Sequence, residues 1–268
     1  MSGARKWALA GAVAGAVFAA AAWAPAAWLA RAVNSASEGR LVLAEARGTV
    51  WNGSAVVVLT GGADSRDASA LPGRLQWLMR PSLHDGAGLA LTLLQPCCMR
   101  RDATLFLRPG LGRVQLEIAP SDDWLARVPT GWLAGLGTPW NTLELGGQLR
   151  LRSSGLKLET IEGRWRVAGS AAIELHDLSS RLSTLPTLGS YRMELVADPA
   201  DAGTPGAALQ LSTIDGALRL SAAGRWDGTG LRLRGEATAA TPDDEAALGN
   251  LLNIIGRRRG ARSVISIG

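Results

Sequence analysis

Beyond residue 40, apolar and polar positions alternate with a period of two. Leu41 and Leu43 open the series, followed by Ala55, Val57 and Leu59, then Leu75, Trp77 and Met79. Leu105 and Leu107, Val114, Leu116 and Ile118, and Leu149 and Leu151 continue it, and Leu231 and Leu233 close it. Short alternating runs separated by Gly, Asp, Asn or Ser predict antiparallel strands with one buried face, about twelve to fifteen of them. Arg, Glu, Gln, Thr and Ser fill many intervening positions, as a solvated outer face requires. Residues 55–59 are apolar throughout, which predicts a strand buried on both faces.

Two stretches break the period. In the first, Ser121 can cap a helix, Asp122 and Asp123 suit its first turn, and Trp124, Leu125, Val128, Trp132 and Leu133 have helical spacing around Pro129. In the second, Thr241 can cap, Pro242 fits the first helical position, and Asp243, Asp244 and Glu245 meet the positive end of the dipole. Leu248, Leu251, Leu252 and Ile255 form its apolar stripe, Gly256 its expected end, and Arg257, Arg258 and Arg259 suit the negative end. A short strand is expected over residues 263–267.

The N-terminal pattern differs. Residues 7–30 carry no charge. As one helix these residues would rise about 36 Å, against a bilayer core of about 30 Å. Trp7, Phe18, Trp23 and Trp28 are the anchor residues, the indoles suiting the headgroup level. Arg5 and Lys6 favour a cytoplasmic N-terminus, and Pro25 is expected to end or kink the helix near the outer face. The rival reading is a cleaved signal peptide ending near Ala22 or Ala26. Either way residues 31–268 cross the membrane, so the expected division is a cytoplasmic tip and anchor over 1–30 and one β-rich domain over 31–268. No linker divides the latter, although residues 198–206 form a polar, Pro-containing loop.

Charge adds an exclusion. The chain has 28 basic and 23 acidic residues, and Arg5 and Lys6 precede the apolar run, which leaves a near-neutral, interleaved remainder. No basic patch of the kind nucleic acid demands is present, and no nucleic-acid partner is expected. His84 and His176 lack a recognisable partner motif, and the paired aspartates are explained as helix starts. No phosphate loop, nucleophile elbow or zinc-protease motif occurs, so catalytic residues, metal and cofactors are all expected to be none. For Cys97-Cys98, two unpaired thiols are favoured over a vicinal disulfide, an intermolecular link or a metal contact.

Two elements carry a resemblance. Gly48-Thr49-Val50-Trp51-Asn52-Gly53 stands between two strands, and Leu188-Gly189-Ser190-Tyr191-Arg192 begins a later one. With the N-terminal apolar segment, Arg80-Pro81-Ser82-Leu83 and the tail around Asn253, their order resembles the type II secretion system protein N family, which is similar to the AsmA-like group. The resemblance implies a mainly β fold: an N-terminal transmembrane helix, then a curved, mostly antiparallel sheet, groove-like or partly closed, with one or two short helices. It implies a single-pass protein of the bacterial inner membrane with most of its chain in the periplasm. It implies a non-enzymatic accessory role in exporting folded proteins, with inner-membrane platform proteins and the secretin as partners. The alternative is a lipid-binding or lipid-shuttling module with a hydrophobic groove.

Overall fold

The computed structural model describes residues 2–161, 164–197, 206–227 and 230–268. The loop expected over 198–206 lies, apart from Gly206, outside the described residues.

Helix α1 (Ser2–Ala22) is followed by α2 (Ala26–Ala36). Then come β1 (Leu41–Gly48), β2 (Asn52–Thr60), β3 (Ala68–Ala70), β4 (Leu75–Ser82), β5 (Gly88–Leu94), β6 (Ala103–Gly110) and β7 (Arg113–Ile118). After β8 (Ala126–Pro129), a 3-10 helix (Thr130–Leu136) and the short α3 (Trp140–Leu143) lead to β9 (Gly146–Ser153), β10 (Lys157–Ile161) and β11 (Arg164–Ala168). The chain continues through β12 (Ser170–Ser179), β13 (Gly189–Val196), β14 (Ala207–Asp215), β15 (Leu218–Trp226) and β16 (Leu231–Ala239). Helix α4 (Pro242–Ile255), β17 (Arg257–Arg259) and β18 (Arg262–Ile267) complete it.

The strands form two nine-stranded antiparallel sheets instead of the single sheet expected. The first runs β1-β2-β4-β5-β6-β7-β10-β11, with β3 on β2, and the second runs β17-β18-β16-β15-β14-β13-β12-β9-β8. One ribbon joins them. β9 leads into β10, β11 leads into β12, and both connections bend at the same level. Buried Ser153 makes the first bend, its Oγ accepting from the amides of Gly155 and Leu156 at 3.2 and 3.1 Å, a local turn that competes with the ladder. Gly169 makes the second with φ +79°, and a Cβ there would lie 2.3 Å from the Gly155 carbonyl oxygen.

Each sheet has its own apolar core. In the first, Leu43, Ala55, Val57, Leu71, Trp77 and Cys98 pack together beneath α2 with Val128, which reaches in from β8 at the edge of the second sheet; α2 contributes Ala26 and, at its margin, Leu29, Ala30 and Val33. In the second, Leu248, Leu251 and Leu252 of α4 cover Leu178, Leu188, Tyr191, Leu218 and Ala237. The strand at residues 55–59 is buried on one face only, with Ala55 and Val57 inside and Val56 and Val58 half-buried.

Three further expectations are corrected. The uncharged run is not one helix. Pro25 has no amide proton to donate and stands as the extended N-cap of α2, so the run divides at Trp23–Pro25. Among the described residues, no helix is long and apolar enough to cross a membrane. Residues 121–129 are not helical: Asp123 accepts the Trp124 amide at 2.8 Å, but Ala126 to Pro129 pair with β9 instead, because the apolar side chains that suggested a helix also suit an edge strand. Cys97 and Cys98 are joined in a vicinal disulfide, with Cys98 buried. The Thr241 cap is observed, its Oγ1 accepting from the Asp244 amide at 3.2 Å. The three arginines after α4 belong to a strand that pairs with β18.

Candidate functional site: the joint between the N-terminal helix and the first sheet

Gly48, Thr49, Val50, Trp51, Asn52 and Gly53 make the β1–β2 turn, and this turn holds the end of α1. The Trp51 Nε1 donates to the Ala21 carbonyl at 2.7 Å, and the Val50 amide donates to the Ala24 carbonyl at 2.8 Å. Thr49 forms an isolated bridge with Pro25. Beneath the turn, the buried Trp77 donates its Nε1 to the carbonyls of Thr49 and Val50 at 3.2 and 3.1 Å. The indole lies so close to Gly53 that a Cβ there would meet the ring at 2.5 Å. Phe18, Ala21 and Ala22 of α1 then line one apolar cleft with Trp51, Met79 and Pro81. The element is thus a clamp in which two indoles fix a turn and the turn fixes a helix. Asn52 is exposed beside it.

The four residues expected to anchor the chain fall on both sides of this joint. Trp7 and Phe18 are exposed on α1, and Trp23 and Trp28 are exposed at and after its end. Residues 6–21 of α1 are exposed at every position, which leaves an apolar helix without a packed face.

Leu188, Gly189, Ser190, Tyr191 and Arg192 lie in the second sheet. The fully buried Tyr191 hydroxyl donates to the Leu218 carbonyl at 2.9 Å. Burial, with the nearby Asp215 charge, pushes its pKa well above the ordinary phenol value. Gly189 and Gly216 touch backbone to backbone, since a Cβ on either would lie under 3 Å from the other's Cα. Leu188 packs under α4. The Ser190 Oγ accepts from the Asp177 amide at 3.3 Å, and the exposed Arg192 reaches Glu174 at 2.7 Å. These residues seat α4 and register β12 to β15. The structure does not bring them together with the β1–β2 turn, which belongs to the other sheet.

Two ion-pair clusters escaped sequence reasoning. On the first sheet, buried Arg108 donates to Glu117 at 2.8 Å, Lys157 reaches the other Glu117 oxygen at 3.3 Å, and Asp85 stands 3.6 Å from Arg108. Burial pushes the Glu117 carboxyl up, but hydrogen bonds from Arg108 and Lys157 outweigh it and hold it below the usual range. His84, Asp85 and Glu117 offer atoms within 4.8 Å of one another, yet two cations already balance the two carboxylates. The group is therefore an ion-pair network. On the second sheet, Glu174 takes His176 at 2.6 Å on one oxygen and Arg192 at 2.7 Å on the other. Neither cluster was legible as a whole beforehand, because the cations Arg108, Lys157 and Arg192 meet their carboxylates only through strand register.

One further feature is spread over the first sheet. Pro81, Leu89, Leu107, Leu116, Leu158 and Val167 stand level across six neighbouring strands and share one face. The last five are only half-buried and belong to neither core.

Comparison with known proteins gives one finding. Residues 39–266 match the family model for the type II secretion system (T2SS), protein N. No curated protein and no solved structure matches. The match spans most of the chain and takes in both the indole clamp and the Leu188–Arg192 element, so the chain belongs to the type II secretion system protein N family.

Proposed function

We propose that the chain is a non-enzymatic accessory component of the type II secretion system, held in the bacterial inner membrane by α1, with its two sheets in the periplasm. It assists the export of folded periplasmic proteins across the outer membrane through contacts with the inner-membrane platform proteins and the secretin. The family match over residues 39–266 carries this reading. The exposed apolar helix supports the anchor, because an all-apolar surface needs lipid or protein around it.

The test is in-cell photocrosslinking from exposed sheet positions such as Arg166 and Ser266, read by mass spectrometry. Adducts with platform proteins or the secretin are expected. Recovery of phospholipid alone, with no secretion-system protein, overturns the reading. The half-buried row from Leu89 to Val167 favours a second reading, a lipid-binding module. Phospholipid adducts at Leu107 and Leu116 are its expected signature.

A further inference from the structure

Among the described residues, the antiparallel order of the first sheet puts three complete turns at one end, where the β10–β11 connection also lies: β1–β2 at residues 48–52, β4–β5 at 82–88 and β6–β7 at 110–113. The end of α1 is clamped at the first of these turns. The other two hairpins rise further. Asn52, where β2 begins, faces Leu78, and β4 continues to Ser82, four residues or about 13 Å beyond it. This extension runs alongside α1, for Phe18, Ala21 and Ala22 share their cleft with Met79 and Pro81. Pro81, Leu89 and Leu107 are level, so Leu83 and Leu111 lie beyond them, further still past the joint.

Hairpin tips are ordinarily polar, since turn chemistry favours Gly, Asn, Asp and Ser. Here the two tips carry leucines, Leu83 at 85% exposure and Leu111 at 103%. Pro81, Pro109 and Val114 are exposed beside them, and so are Arg80 and Arg113. Asp85, the acid on the first tip, lies 3.6 Å from Arg108 and 3.8 Å from Lys157. Arg113 stands 4.0 Å from Glu159. The tips therefore offer apolar points with cations beside them, the combination that suits an interface of acyl chains and anionic phosphates.

We infer that the β4–β5 and β6–β7 hairpin tips, with Leu83 and Leu111 at their ends, dip into the anionic lipid surface that receives α1. The inference rests on the membrane-anchor reading of α1. Because the β4–β5 hairpin flanks the last turns of α1 and the β6–β7 tip stands at the same end of the sheet, a bilayer that covers those turns meets the first tip and comes within reach of the second. The domain is then held by three points, and its orientation on the membrane is fixed.

The test uses the full chain in vesicles of phosphatidylethanolamine and phosphatidylglycerol that contain a lipid-borne quencher. A single environment-sensitive label is placed at Gly11→Cys on α1, Leu83→Cys, Leu111→Cys, or Asp64→Cys at the opposite end of the sheet. Cys97 and Cys98 are bonded to each other and leave the label specific. All four sites are exposed, so folding is unaffected. Loss of emission at Gly11, Leu83 and Leu111 but not at Asp64 is expected. Quenching at Gly11 alone overturns the inference and leaves the anchor standing. Absence of quenching at Gly11 overturns the anchor and this inference with it.

Discussion

Burial alone would raise the Glu174 carboxyl, yet His176 and Arg192 hold one oxygen each, and the balance falls below the ordinary value of 4.5. A carboxyl lowered in the folded state stabilises that state above its unfolded pKa, and the contribution is lost as pH falls through the folded value. Glu117 acts in the same direction. Glu174→Gln keeps one acceptor but removes the charge, at a cost of about 1–3 kcal/mol near pH 7. Denaturant melts between pH 7 and pH 3 should show the variant losing less stability across the acid range than the native chain. A parallel loss in both proteins would assign the acid sensitivity to other carboxylates. His176 was visible in the sequence, but the complete network was not. Glu174 stands two residues away on the same strand face, whereas Arg192 comes from the next strand through a register that alternation leaves open.

Elements were legible where two local signals agreed. For α4, the Thr241 cap, Pro242 at the first position and the leucine stripe all named one helix, and the helix runs from Pro242 to Ile255. Thr241→Ala frees the Asp244 amide and should cost about 0.5–2 kcal/mol, which calorimetry can read as a lower melting temperature. Serine at this position should recover most of the loss, because it keeps the accepting oxygen. At residues 121–129 the signals disagreed: the cap pattern argued for a helix, while Pro129 and the β-branched Val128 fitted the vacant edge of β9, and tertiary pairing won. At the N-terminus hydropathy read one uncharged run, whereas Pro25 signalled that the helix ends there, and it stands as the cap of a new helix. The clamp motif itself was visible as Gly48 to Gly53, but its role depended on Trp77, which lies some twenty-five residues further on and passes in the sequence as an ordinary alternating apolar residue.

At the scale of the whole molecule, the break at Trp23–Pro25 separates two kinds of apolar surface. On α1 it is exposed, and nothing in either core depends on it. On α2 it is spent inside: Ala26 is almost fully buried, and Leu29, Ala30 and Val33 pack against the cluster that holds Leu43, Val57 and Trp77. The two helices are adjacent in sequence, yet their removal should have opposite consequences. A chain lacking residues 1–22 loses one indole hydrogen bond and an open cleft, and its thermal melt should stay close to that of the full chain. A chain lacking residues 1–37 uncovers the first core and its β1 edge, and burial lost at three or four apolar side chains is worth several kcal/mol. That second truncation should melt far lower or fail to fold cooperatively, as followed by far-UV circular dichroism. If both truncations melt alike, α2 is not part of the first core. If removing α1 alone collapses the β signal, α1 supports the fold, and the clamp at Trp51 transmits stability in addition to position.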